Sequence, residues 1–260
     1  MIKMTAGLTE TLTLQAAKGP VTVHVFDSPA SAGAYIAGDI ARVLGNAVAQ
    51  KGRGLWIGCG GTTPKPIYER LVQAGLDWDK IRLFQVDERF VPTDDAASNT
   101  RMMREALQPI LSAPGKGGMD LVSLIQDVKD QYACAAKAEQ TLLDAGGGSA
   151  PEFDYALMGM GPDAHYASIF PGHPINGVVY TTKSLVLPVA KSTTELEPQL
   201  PRITLSVPAI NAAKRILFYI TGQTKLNVLK AACLSTDPFT APIGAFLAQS
   251  PSPVEFVWTA

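Results

Sequence analysis

The sequence predicts an α/β fold: a Rossmann-like, mostly parallel sheet with helices on both faces, in a single domain over residues 1–260. Three observations predict it. Short apolar runs alternate with stretches of helical periodicity along most of the chain. The run over residues 215–220 is continuously apolar after its first residue, as suits a strand covered on both faces. Four runs also stop abruptly at polar clusters, after Ile57, Val86, Met158 and Ile220. Parallel order would bring those ends to one edge, where ligands of open α/β sheets bind.

The totals fit this class. Of the 260 residues, 47% are hydrophobic and 17% charged, enough for a sizeable core and unlike a disordered chain. A net charge of −1 gives no basic field, which argues against nucleic acid as a partner. Any anionic ligand must then be held by a few local cations. No apolar run reaches membrane-spanning length, and MIKMTAGLTETLTL lacks the apolar core of a signal peptide. Three scattered cysteines suit a reducing, cytoplasmic location and give no zinc spacing.

In chain order, residues 11–14 and 21–26 read as a hairpin around Lys18-Gly19-Pro20, with Val21, Val23 and Val25 on one face and His24 on the other as a plain strand histidine. Ser28-Pro29 starts a helix, Ser as N-cap and Pro at the first position, ending near Lys51-Gly52. Residues 55–57 form a short buried strand running into Gly58-Cys59-Gly60-Gly61-Thr62-Thr63-Pro64, with a helix expected from Pro64. On this stretch alone two readings stand level. It is an anion site of backbone N–H groups at a helix start, or a tight turn with Thr63 as N-cap. Neither GxGxxG nor GxxxxGK[ST] is present, so no dinucleotide or ATP is specified. Cys59 reads as a small filler rather than a nucleophile.

The strand over 81–86 ends in Asp87-Glu88-Arg89; if the chain stays extended, Asp87 and Arg89 share a face and Glu88 takes the other. A polar loop at 94–99 precedes a helix with Met102, Met103, Leu107 and Ile110 inward, and a second loop is expected over 112–118. A helix over 131–145 ends at Gly146-Gly147-Gly148. The strand at 155–158 breaks into Gly159-Met160-Gly161-Pro162, then presents Asp163, His165 and Ser168 before Pro171-Gly172-His173-Pro174. Two of the three histidines lie in this stretch, which makes it the active-site candidate. Beyond it come a strand at 184–189, a polar loop at 191–201 with two glutamates, the run Arg202-Ile203-Thr204-Leu205-Ser206-Val207-Pro208 with a short turn to Asn211, and the strand at 215–220. A helix carrying Lys225 in its first turn follows, and a strand at 254–258 closes the sheet. The helix dipole disfavours a cation at that position, so Lys225 makes sense beside a bound anion.

Several of these blocks resemble one family. GCGGTTPKPIYERL is similar to the phosphate loop of the 6-phosphogluconolactonases, usually SGGSTPKPLYELL. VDERFVPTDDAASNTRMMREAL resembles their second motif, FDYALMGMGPDAHYASIFPGHP their signature (usually GMGPDGHTASLFPG), and PRITLSVPAINAAKRILFYITGQTK their C-terminal block. The blocks occur in order over most of the chain. The wider group includes glucosamine-6-phosphate deaminases and ribose-5-phosphate isomerases. Two positions depart from the pattern. Ala164 replaces the usual Gly, at a cost of about 1 kcal/mol if φ there is positive. Tyr166 replaces the usual Thr and would narrow the pocket or bond a sugar hydroxyl.

The resemblance implies hydrolysis of 6-phospho-D-glucono-1,5-lactone to 6-phosphogluconate, the second step of the oxidative pentose phosphate pathway; no cofactor is expected, and His165, His173 and Asp163, which could bind a metal, have a histidine spacing that matches no recognised zinc pattern. The resemblance also implies functional coupling to glucose-6-phosphate dehydrogenase. Histidine, with a reference pKa of about 6.5, suits water activation near neutrality. His165 is therefore the expected base, with Arg89 and nearby N–H groups as donors to the carbonyl oxygen. Asp87 would orient His165 or a sugar hydroxyl. Asp163 would do the same, or else cap a following helix. Gly60, Gly61, Thr62 and Thr63 with Arg202 and Lys225 would hold the phosphate. His173 reads as a turn residue. The deaminases usually read DEY in place of Asp87-Glu88-Arg89 and carry an acidic residue where this chain has Ile169-Phe170-Pro171, so the lactonase reading is favoured. A non-catalytic sugar-phosphate sensor on the same fold would usually add a DNA-binding segment.

Overall fold

The computed structural model describes residues 6–112 and 117–260. The loop expected over 112–118 therefore lies largely outside the described residues. The chain opens with a hairpin, β1 (Leu8–Ala16) and β2 (Gly19–Phe26), then α1 (Pro29–Lys51). Ser28 caps α1 by accepting from the Ser31 N–H, and Gly52 ends it in the left-handed conformation, bonding back to the Val48 carbonyl. There follow β3 (Gly54–Gly58), α2 (Lys65–Leu71), β4 (Ile81–Gln85), β5 (Asp87–Arg89), α3 (Asn99–Leu107), β6 (Asp120–Val122), α4 (Gln131–Ala145) and β7 (Tyr155–Gly159). The last third holds β8 (Val186–Val189), β9 (Arg202–Leu205), α5 (Val207–Asn211), β10 (Ile216–Thr221), α6 (Gln223–Ala232), α7 (Pro242–Gln249) and β11 (Val254–Thr259).

Eight strands form one sheet in the order β1-β2-β11-β10-β7-β3-β4-β6, parallel throughout except for the β1–β2 hairpin. All five residues of β3 are buried, as are the first five of β10. Successive strand side chains point to opposite faces, so both faces of the sheet centre are covered. Helix α1 packs along β2, β3, β7 and β11. Strand β11 lies between β2 and β10 rather than at an edge, because the N-terminal hairpin supplies the outer strands.

Besides the edge strand β6 and the short α5, two features lie outside the expected alternation. One is α7, an almost wholly apolar helix. The other is a separate antiparallel sheet, β5-β9-β8. Val86 joins the two sheets: its N–H donates to Gly58 O of β3 at 2.9 Å, and its carbonyl accepts from Leu205 N of β9 at 2.8 Å. The apolar run over 81–86 thus serves the large sheet up to Gln85, and the charged triplet after it serves the small one.

The sheet order also fixes where a ligand can enter. From β3 the chain passes to β4 on one side; from β7 it passes, by way of the small sheet, to β10 on the other. Neighbours β3 and β7 therefore send their C-terminal loops apart, which opens a crevice at that switch point.

Candidate active site

A pocket of about 240 Å³ lies in this crevice, lined from all four polar strand ends. Gly60, Gly61, Thr62 and Thr63 come from the β3 loop, Asp87 and Arg89 from β5, Gly161 and His165 from the β7 loop, and Lys225 from α6. Arg202 of β9 completes the expected set, and Glu197 and Asn99 join it.

The β7 loop shapes itself around His165. No helix follows Asp163; residues 160–173 run as successive turns, so helix capping is not its role. Its Oδ1 takes the His165 backbone N–H at 3.2 Å and lies 2.6 Å from Nδ1 of the same residue. Burial opposes the charge on Asp163, but the hydrogen bonds from His165 outweigh it and hold the carboxyl below its usual range. A side chain on Gly161 would put Cβ 2.2 Å from the imidazole, so only glycine lets the ring lie there. Phe170, fully buried, packs against the ring at 4.9 Å between centroids and carries the Arg202 guanidinium at 5.1 Å on its other contact.

Ala164 has φ +70°, so the usual glycine does serve a positive φ, and this chain bears the strain. Tyr166 does not reach the pocket. It is fully buried, bonds Tyr180 through its hydroxyl at 3.4 Å and packs on Phe218 and Phe246, because the turn aims it into the core. His173 caps a short 3-10 turn by accepting from Ile175 N.

Strand β5 separates its three side chains as its pleat requires. Glu88 is fully buried and accepts from the Asn99 and Thr100 N–H groups at 2.7 and 2.6 Å, anchoring the start of α3. Asp87 and Arg89 face the pocket. Asp87 takes the Ser168 hydroxyl at 2.6 Å, while the partner of His165 is Asp163. Arg89 donates to Ala97 O at 2.9 Å and leaves its Nε without a partner among the described residues. Arg202 stands directly opposite Arg89 in the β5–β9 ladder. Its Nη2 bonds Glu197 at 3.0 Å, its Nη1 lies 3.8 Å from Asp87, and its Nε too is unpartnered.

Across the pocket the β3 loop passes close to α3: a Cβ on Gly60 would strike the Asn99 amide at 1.9 Å. Thr63 does not cap α2, because Pro64 holds that position with no side-chain bond. Lys225 is half-buried in the first turn of α6, and burial pulls its ammonium below the usual lysine value. Cys59, in the same loop, is buried at the pocket wall, and burial pushes its thiol up to about 12, as suits a small filler. Among the described residues no group of three or more His, Cys, Asp or Glu side chains is placed to hold a metal ion, and no helix is long and apolar enough to cross a membrane.

Sequence reasoning passed over Glu197, Asn99 and Phe170. Phe170 stood within the signature and was legible as its apolar support. Asn99 opens α3 and Glu197 sits in a polar loop, and only the tertiary fold determines which way either side chain is turned.

The chain is similar to known proteins over most of its length. Residues 27–258 match the family described as glucosamine-6-phosphate isomerases/6-phosphogluconolactonase. The 6-phosphogluconolactonase of Caulobacter vibrioides is 34% identical over 92% of this chain and 97% of that protein. That of Rhizobium meliloti is 31% identical over 91% and 97%. The crystal structure of a 6-phosphogluconolactonase from Shewanella baltica superposes with a TM-score of 0.83 at 31% identity, over 94% of this chain and all of that one. The chain belongs to the glucosamine-6-phosphate isomerase/6-phosphogluconolactonase family.

Proposed function

We infer that this chain is a 6-phosphogluconolactonase, hydrolysing 6-phospho-D-glucono-1,5-lactone to 6-phospho-D-gluconate in the pentose phosphate pathway. The observation that carries the mechanism is the 2.6 Å contact between Asp163 Oδ1 and His165 Nδ1. An ionised Asp163 accepts the Nδ1 proton, which leaves the lone pair of the imidazole on Nε2.

In this reading Nε2 takes a proton from water as the oxygen attacks C1 of the lactone. The C1–O bond to the ring oxygen then breaks, and the imidazolium returns its proton to that oxygen. The open chain leaves with a C1 carboxyl that ionises at neutral pH. Charge on the former carbonyl oxygen is met by the Arg89 guanidinium, with Arg202 beside it. Asp87, held by Ser168, orients sugar hydroxyls. The N–H groups and hydroxyls of Gly60, Gly61, Thr62 and Thr63, with Lys225 as the cation, take the 6-phosphate; Arg202, expected with them, stands instead opposite Arg89 and against Glu197, at the C1 end. The enzyme works as one domain in the cytoplasm, on the product of glucose-6-phosphate dehydrogenase, and needs no metal. The departures from the deaminase pattern at Arg89 and at 169–171 favour lactone over amino sugar.

The test is acid release from freshly generated lactone. Wild type should far exceed the spontaneous rate, and His165→Ala should return it nearly to that rate while still binding 6-phosphogluconate. No rate above the spontaneous one with wild type would sink the reading, and full activity in the variant would remove His165 as the base.

A further inference from the structure

Arg89 and Arg202 are directly opposed across the β5–β9 ladder. Like charges placed so are destabilising unless an anion lies between them. Glu197 is that anion. Its Oε2 is 3.0 Å from Arg202 Nη2 and 3.5 Å from Arg89 Nη2, and its Oε1 is 3.8 Å from His165 Nε2. A carboxylate thus sits against two guanidiniums and beside the ring nitrogen of His165 that Asp163 leaves free. It belongs to the chain itself, from the irregular segment joining β8 to β9.

Resting on the function proposed above, the position has a chemical meaning. The substrate is uncharged at C1, whereas the product bears a carboxylate there, formed next to His165. The titratable and charged groups around that point are Asp87, Arg89, Asp163, Glu197 and Arg202, with Lys225 further along the pocket. We propose that Glu197 is the residue that discriminates product from substrate: it occupies the guanidinium pair that would otherwise clamp the new C1 carboxylate. The neutral lactone loses little by its presence. The carboxylate of 6-phosphogluconate meets a like charge and two arginines already paired, and so leaves.

The experiment compares two open-chain ligands that differ only at C1. 6-Phosphogluconate carries the carboxylate; glucitol 6-phosphate carries a hydroxymethyl group. Kd is measured by calorimetry for wild type, Glu197→Gln and Glu197→Asp. Glu197→Gln should bind 6-phosphogluconate about tenfold more tightly, from loss of one nearby charge, with glucitol 6-phosphate unchanged. Lactone progress curves of that variant should show matching product inhibition. Glu197→Asp, which keeps the charge, should restore the wild-type ratio. Equal tightening of both ligands would overturn the proposal by making the arginine pair a phosphate site. An unchanged ratio would overturn it too, as would a variant affected only in kcat. These failures leave wild-type lactone hydrolysis intact. A wild type that neither hydrolyses lactone nor binds either ligand would instead overturn the function, and this inference with it.

Discussion

His165 has one ring nitrogen committed to Asp163 and the other near the pocket, so the carboxylate should be felt in rate more than in binding. Asp163→Asn removes the group that fixes the tautomer. We expect kcat to fall by about 10²–10⁴-fold with KM little changed. Steady-state kinetics on fresh lactone checks this, and an equal rise in KM would point to a collapsed loop. Lys225 tests the other end. Its value is depressed by burial, so it loses its proton at a lower pH than an ordinary lysine. Loss of the proton removes the cation, so the wild-type KM should climb as pH rises into that range. Lys225→Ala should raise KM about 10–100-fold at neutral pH and abolish the alkaline climb. A flat wild-type profile up to the usual lysine range would contradict it. Both residues were legible in the sequence, His165 by its place after a strand end and Lys225 as a cation against the dipole of its own helix. The Asp163 role was not settled there, because whether a helix follows depends on how residues 164–173 pack.

At the scale of elements, the β7 loop bears a local cost for its geometry. Ala164 holds φ +70° where glycine is unstrained, and its carbonyl accepts from Ile243 N of α7, which pins it there. Ala164→Gly relieves the strain but loosens the unfolded chain. The expected net effect on a denaturant midpoint runs from neutral to a gain of about 1 kcal/mol, with kcat kept. A loss of more than about 1 kcal/mol would show that the Ala164 methyl packs usefully. The departure from the family pattern was visible in the sequence, but the sign of φ was not. Strand β5 shows the same division. The alternation of Asp87, Glu88 and Arg89 followed from the pleat, whereas their membership of a second sheet did not. Three residues are too short a run to declare a partner, and β9 lies more than a hundred positions away. The hydrogen bonds of Val86 to both sheets make that change of allegiance, and apolar patterning carries no mark of it.

Across the whole molecule, alternation of strands and helices announced the parallel sheet and the meeting of four strand ends. It said nothing of the polar knot that ties α1 to the sheet. There Asp39 is almost wholly buried and pairs with Arg215 and Arg42; Arg215 in turn grips Glu255, which also contacts His24. The bond with His24 and the pairing with Arg215 outweigh burial and draw Glu255 from 4.5 down to about 2. A depressed carboxyl contributes stability that is complete above its ordinary value and is lost as pH falls toward the folded one. Unfolding midpoints should therefore drop between about pH 4.5 and pH 2, and Glu255→Gln should lower the midpoint at pH 7 and flatten that slope. An identical acid profile in the variant would clear Glu255 of the effect. The cysteines add a different kind of consequence. All three are buried, and burial lifts Cys59 to about 12 and Cys233 to about 11. Peroxides and alkylating agents attack the thiolate, which at these values is almost absent at neutral pH. The sulfhydryl of Cys59, enclosed under the pocket wall and held in its protonated form, is therefore a poor target for such reagents.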